Sequence, residues 1–494
     1  YHLHVKVIGR KAGSSAVASA AYRSASRLRD ERLERSHDFS AIANAGAGSP
    51  GVGVAGAVAL NIVTDRTEAW IPSSAVVDFG TGDVVVAAEN LRTDTAKAKA
   101  DAKGGGSSTG VGASVAINVI AVNLTRAEIE DGADVTGGAN VWVTADATDT
   151  VIAEVTAGSS GGNAVSPAVG INVVLPVTLA RIGTPGPRPF VASGDIVVRG
   201  TYKGSATVTG NADAAGASVA VGAIIVINVV DIDPIAAVYR DITGASLWLI
   251  ATTELLARAE ATASAQGTKS STQGGAQNSD AQAQDQLSGT PATSGTTGSL
   301  PSASSNVSSA NGQANSQSGQ SSDGVGVGAA VTVNWVTVEN EAIVAPGLVI
   351  TLTGALAVLA TNETDAVAKA IGTSYSLETS SSNIGAAVGL NVVTVTNRGS
   401  IGAGATVTAG SVSVTGITPT GARNDFQTWA ISAAGGRGDS SVAGSVGVQV
   451  LQRIDLGLTV RGRDDRTRRA HRGADRRQHR DPAGHGLAAD LPAV

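Results

Sequence analysis

One short word recurs along this chain and constrains its fold more than any other feature. It is apolar, rich in Gly and Ala, and carries a single amide, as in Gly110-Val111-Gly112-Ala113-Ser114-Val115-Ala116-Ile117-Asn118-Val119-Ile120. The amide falls at Asn61, Asn118, Asn172, Asn228, Asn334 and Asn391, and Gln449 takes its place in a weaker seventh copy. Successive spacings are 57, 54, 56, 106, 57 and 58 residues. A unit repeated at such a period cannot bury a core alone, so neighbouring copies must stack on one another.

Within a unit the sequence reads as strand and turn. Val, Ile and Thr alternate with small or polar residues at period two. In the copy around Asn118, Val115, Ile117 and Val119 share one face, and Ala116 and Asn118 share the other. A second short strand is expected about ten residues later, as in Arg126 to Ile129 or Thr67 to Ile71. A turn and a third strand come next, across Gly132 to Ala145. Gly-Gly, Asp-Gly and Gly-Ala pairs punctuate the turns. Helical periodicity is weak here, confined to Leu255 to Ala265.

These signals predict an all-β chain, a parallel β-helix or β-solenoid of ~56-residue repeats, each repeat supplying two or three coils of roughly 18–28 residues. An array of small β-sandwiches is the alternative, but a ~56-residue unit poor in aromatics is small for an independent sandwich. The composition fits a thin stacked interior: 42% of residues are hydrophobic, only 3% are aromatic, and there are 62 Gly. On the coil estimate, the amides recur only every second or third coil. A local backbone bend is then favoured over a continuous Asn ladder, and a ligand-binding role is disfavoured.

Charge divides the 494 residues unevenly. The net charge is −6, yet residues 1–40 carry eight Lys/Arg against four Asp/Glu, and residues 461–494 carry nine Arg against five Asp. The body between is acidic, which argues against nucleic-acid binding there. With no Cys, disulfides and thiolate chemistry are excluded. No His lies between His37 and His471, so imidazole catalysis and zinc sites are excluded from the repeats. Glu128, Glu130, Asp131 and Asp134 gather near one turn and could bind calcium weakly, although a solvated turn is the favoured reading. Gly51-Val52-Gly53-Val54-Ala55-Gly56 mimics a dinucleotide loop, but it recurs as a strand word and no helix succeeds it. No cofactor, metal or transmembrane segment is expected. The longest apolar run, Ala214 to Val230, is 17 residues, shorter than the ~20 that a membrane helix needs, and it reads as strand.

The chain divides into five segments: 1–40, a strand-helix appendage; 41–263, repeats; 264–323, a low-complexity insertion that accounts for the doubled spacing; 324–460, repeats; and 461–494, an Arg-rich tail. The insertion is Ser/Gly/Gln/Asn/Thr/Ala-rich and cannot bury a core. The tail reads best as a shifted frame in GC-rich DNA, and a continuous frame on sequencing the locus would reject that hypothesis.

In the appendage, Tyr1-His2-Leu3-His4-Val5-Lys6-Val7-Ile8 alternates like a strand, and Ser14 to Arg35 reads as a helix capped by Ser14 or Ser15. The words Tyr1-His2-Leu3-His4-Val5-Lys6 and Gly13-Ser14-Ser15-Ala16-Val17-Ala18-Ser19-Ala20-Ala21-Tyr22-Arg23-Ser24 resemble the start of MobA/MobL-type plasmid relaxases. The resemblance covers about 40 residues and places Tyr22 where that family's DNA-attacking tyrosine sits. Such attack also needs a metal held by a histidine cluster further along the domain, and the residues after His37 supply no His before His471. An inactive remnant is therefore expected. The repeats resemble those of large bacterial filamentous adhesins, including the leukotoxin-like family, through Gly110 to Val119 and Ala127-Glu128-Ile129-Glu130-Asp131-Gly132-Ala133. That resemblance implies a non-enzymatic, secreted or surface-attached shaft that meets a protein or glycan on a host or neighbouring cell, with the export signal outside this sequence. A relaxase-derived DNA-nicking protein and a β-helical carbohydrate-active enzyme are the alternatives.

Overall fold

The computed structural model describes residues 3–8, 37–104, 108–267, 324–376, 381–436 and 439–459. Among the described residues the chain is strand and turn, without helix. The helix expected over Ser14 to Arg35, with Tyr22 on it, lies outside the described residues. So do residues 268–323 and the tail, 461–494.

The strands pair in parallel, each with its equivalent in the next repeat. Asn61 faces Asn118, which faces Asn172, and the register continues through Asn228, Asn334, Asn391 and Gln449. Pairing partners are thus one whole repeat apart. This corrects the expected two or three coils per repeat: each repeat makes a single tier. The tier is large because its strands are long. Val84–Gly104 runs out, Thr109–Ile129 runs back, and Asp134–Thr136 closes the tier before Val141 opens the next. The expected separate strand at Arg126 to Ile129 is the end of Thr109–Ile129. In the next two tiers the outward and return strands are continuous, as Val141–Ile182 and Ile196–Val238. The apolar run Ala214 to Val230 is part of the latter.

Interruptions fall where the chain reverses. Strand Leu247–Gly267 ends and Val325–Val344 begins on either side of the low-complexity segment, and pairing resumes at once with Val219 opposite Val325. Ser264 to Gly267, expected in the insertion, belong to the strand. They are small residues whose backbone pairs with Asp213 to Gly216 on one side, and as far as Gln266 with Tyr375 on the other. Ladder hydrogen bonds override local composition there. At the other end of the chain, Leu3–Ile8 pairs with Val84 to Glu89, and His37–Ser49 pairs with Arg92 to Gly104. The two segments lie along successive stretches of one neighbouring strand, so the stack begins within the segment assigned to the appendage.

Each tier's two long strands face each other across the interior, and the interior tapers. At the end closed by the short strands it holds Val86, Ile129, Ile182, Ile196, Phe190, Leu247 and Leu356. Towards the reversal it narrows to Ala59, Ala98, Ala116, Ala157, Ala212 and Ala263. At the tip even a methyl is too large: a Cβ on Gly328 would lie 1.9 Å from the Thr373 carbonyl oxygen, and one on Gly372 would lie 1.8 Å from that of Ala386. This taper accounts for a chain rich in Gly and Ala and poor in aromatics, because each inward position is limited by the distance to the opposite layer.

Candidate functional site

The seven amide positions come together as a column. Asn61 Nδ2 donates to Asn118 Oδ1 at 3.1 Å, and Asn118 Nδ2 to Asn172 Oδ1 at 3.0 Å. Asn228 Nδ2 donates to Asn334 Oδ1 at 3.0 Å, and Asn334 Nδ2 to Asn391 Oδ1 at 3.2 Å. Each amide also reaches across to the opposite layer: Asn118 to the Ile152 carbonyl, Asn172 to Thr207, Asn334 to Ala257, and Asn391 to Ala366 and Gln427. The column thus joins tier to tier and layer to layer. It breaks between Asn172 and Asn228, where Asn172 turns its amide to Thr207 and Asn228 Oδ1 has no partner. Gln449 is exposed and reaches the Phe426 carbonyl instead. The bend favoured from sequence is therefore replaced by a ladder, because one repeat is one tier and the amides recur in every tier.

Asn334 is buried, donates twice and accepts once. Replacing it by Leu keeps the branching and heavy-atom count, with somewhat more bulk, but orphans Asn391 Oδ1 and removes the Ala257 contact. Asn334→Leu is expected to cost about 2–4 kcal/mol, since each buried orphan costs about 1–3. A urea titration followed by circular dichroism measures this, and an unchanged midpoint would show that the column is dispensable.

The most highly charged buried cluster lies between the wide end and the Ala-lined part. Arg92 is fully buried, with Nε 2.7 Å from Asp94 Oδ2 and Nη2 3.2 Å from Asp149 Oδ2. Its N–H bonds do not aim at those oxygens, so the attraction is Coulombic. Asn123 Nδ2 donates to Asp149 Oδ2 at 2.6 Å, Asn90 Nδ2 to Asp65 Oδ2 at 3.0 Å, and the Tyr202 phenol adjoins Asp149. Asp94 and Asp149 share one guanidinium, with the Asp65 carboxylate close beside them. Burial first, against the pull of Arg92 and with the push of neighbouring carboxylates, raises Asp94 and Asp149 to about 6. Burial likewise pushes the Tyr202 phenol well above its ordinary value. The sequence reading missed these residues, though a signal was there. Asn90, Arg92 and Asp94 share strand parity with the apolar Val84, Val86, Ala96 and Ala98, so they must point inward.

Basic side chains tie the turns together. Arg240, 2% exposed, donates to the carbonyls of Gly183 at 2.6 Å, Thr184 at 2.6 Å, Ala133 at 3.0 Å and Glu130 at 3.2 Å. It therefore stitches turns from three tiers. The acidic turn considered for calcium is committed to arginines: Glu128 to Arg126 and Arg181, Asp131 to Arg181, and Asp134 to Arg188. Among the described residues no group of three or more His, Cys, Asp or Glu is placed to hold a metal ion. Gly53 to Gly56, which mimicked a dinucleotide loop, opens the strand Gly53–Ile71.

A shallow cleft of about 180 Å³ lies on the outer surface of the first layer, the one made by the outward strands equivalent to Val84–Gly104, and is lined by Lys203, Glu254, Glu363 and Asp365. Lys203 Nζ pairs with Glu254 at 2.9 Å, and Asp365 Oδ1 accepts the Asp425 N–H at 2.8 Å. No described helix is long and apolar enough to cross a membrane.

Fold and side chains together define a class: an all-β chain of parallel tiers in register, held by an internal amide column and buried ionic stitches. Comparison with known protein families, with curated proteins and with solved structures gave no match.

Proposed function

We propose that the chain is a β-solenoid shaft of a bacterial surface or secreted adhesin, acting mechanically rather than chemically. The observation that carries this reading is the alignment of the amide position in all seven repeats, kept even across a 106-residue interval. Strand pairing between tiers makes a stack stiff along its axis. Its strongest ionic and amide contacts are directed inward, to the stack itself. The adhesin-like repeat words support the same reading. The occupant at the far side is a protein or glycan on a host or neighbouring cell.

The test is adhesion. Immobilised chain should retain cells, and soluble chain added first should block retention; equal retention on albumin-coated surfaces would sink the proposal. The relaxase reading makes the opposite demand. Cleavage of single-stranded origin DNA that disappears in Tyr22→Phe would favour it, and the expected result is no tyrosine-dependent cleavage.

A further inference from the structure

The return strands, Thr109–Ile129 and its equivalents, form a second layer, and near the reversal most of its branched aliphatic side chains point outward. Four rows run across all seven tiers of that surface. One runs Val54, Val111, Val165, Val221, Val327, Ile384 and Val442. The others pass through Val58 and Ile225, through Leu60 and Ile227, and through Ile62 and Val229, in the same register. Every position in the four rows is Val, Ile or Leu except Trp335. A fifth row between the first two is Gly, Ala or Pro, from Gly56 through Ala223 to Gly444. No charge interrupts the five rows. Val58 is 67% exposed, Ile62 69% and Trp335 51%. The first layer's outer surface is different: it carries Lys97, Glu154, Arg199, Asp146, Lys203 and Glu254, paired across tiers. The apolar rows occupy the part of the second layer's outer face nearest the reversal; farther along, the same face carries Asp231, Asp233, Glu339, Glu341 and Arg398.

We propose that this apolar face is the interface between two copies of the chain, stacked sheet on sheet. Seven strands about 4.8 Å apart and five rows about 6.7 Å apart make roughly 800 Å². That is about what each partner contributes to a standard interface, and it exceeds the few hundred Å² of apolar patch that monomers ordinarily expose. The remaining segments of this sequence are poorly suited to cover it. Residues 9–36 contain only Val17, Leu28 and Leu33 as large aliphatics among ten charged residues, residues 268–323 only Leu287, Leu300 and Val307, and residues 461–494 only Leu487, Leu491 and Val494. A flat, uncharged surface with raised aliphatic rows beside a row of small residues is complementary to itself. Two such sheets pack about 10 Å apart with their strands about 30° askew. A two-fold contact of this kind brings the centre of the face against its own copy. That centre is Ile225, in the fourth tier and the middle row.

The test is solution mass by light scattering. The wild-type chain at tens of micromolar should run at twice 48.7 kDa. Ile225→Lys and Ile225→Glu should each run as monomers with unchanged circular dichroism, an association weaker by about 100-fold or more, as two buried like charges demand. Mixed one to one, the two variants should recover the dimer. Val388→Lys, on the same face in the sixth tier, gives a second monomer should Ile225 variants misfold. A monomeric wild type overturns the proposal, as does a dimer that survives Ile225→Lys, or a mixture of folded variants that fails to reassociate. A monomer that instead floats with phosphatidylcholine vesicles overturns it in favour of lipid.

Discussion

Gly328→Val is expected to unfold the stack at ordinary temperature or lower its melting point by tens of degrees. The new Cβ would sit 1.9 Å from the Thr373 carbonyl oxygen, with the Thr373 carbonyl carbon 2.7 Å away. What it meets is backbone on the facing strand, which has no rotamer by which to yield. Relief requires the two layers to part at the tip, and that pulls on the ladder bonds to tiers above and below. Overpacking usually costs about 1–3 kcal/mol; a backbone collision of this depth belongs above about 4 kcal/mol, where single substitutions are exceptional. Gly46→Val is the matched control. A Cβ there meets nothing within 4 Å and points outward from a strand. It is expected to be neutral or to stabilise by about 0.5–1 kcal/mol, because Gly carries an entropic cost in a strand. Thermal melts of the pair decide the matter: equal effects at both positions would show that the layers are not in contact at the tip.

Arg92→Met should destabilise by about 3–5 kcal/mol at pH 7, the range for removing one partner of a buried ionic cluster. Its methylenes are replaced well enough; the loss is the cation that Asp94 and Asp149 share. The pH dependence supplies a signature that lost packing would not. Asp94 and Asp149 titrate near 6 in the folded chain, against an ordinary carboxyl near 3.9 when unfolded. Between about pH 4 and 6 the folded state therefore holds more protons, so stability falls as pH rises through that window and is regained on acidification. Without Arg92 both carboxyls move higher still, because the guanidinium that lowers them is gone. The variant's deficit should be largest at pH 7 to 8 and should shrink at pH 5, as protonation removes the uncompensated charge. Urea midpoints across that range test it, and a deficit that stays constant with pH would assign the loss to packing alone.

Strand content, parallel pairing and the special status of the amide positions were legible in the sequence. Val/Ile/Thr alternation and a 57-residue recurrence leave few other outcomes. The parity of Asn90, Arg92 and Asp94 within Val84–Gly104 also marks them as inward, so the buried ionic cluster could have been read from alternation alone. The number of tiers per repeat could not. Alternation looks alike whether a segment is cut into three short strands or runs for 21 residues with one register shift near Ala121, and nothing local reports where a strand folds back. The ladder depended on that hidden quantity, since amides one repeat apart touch only when one repeat makes one tier. Tertiary structure also decided which face is inside. Val115, Ile117 and Val119 look like a core, yet Ala116 and Asn118 are the buried pair. The reason is distance: facing layers this close admit mostly a methyl or a flat amide, and a larger chain such as Ile224 or Val226 fits only where Gly170 and Gly210 leave room beside it.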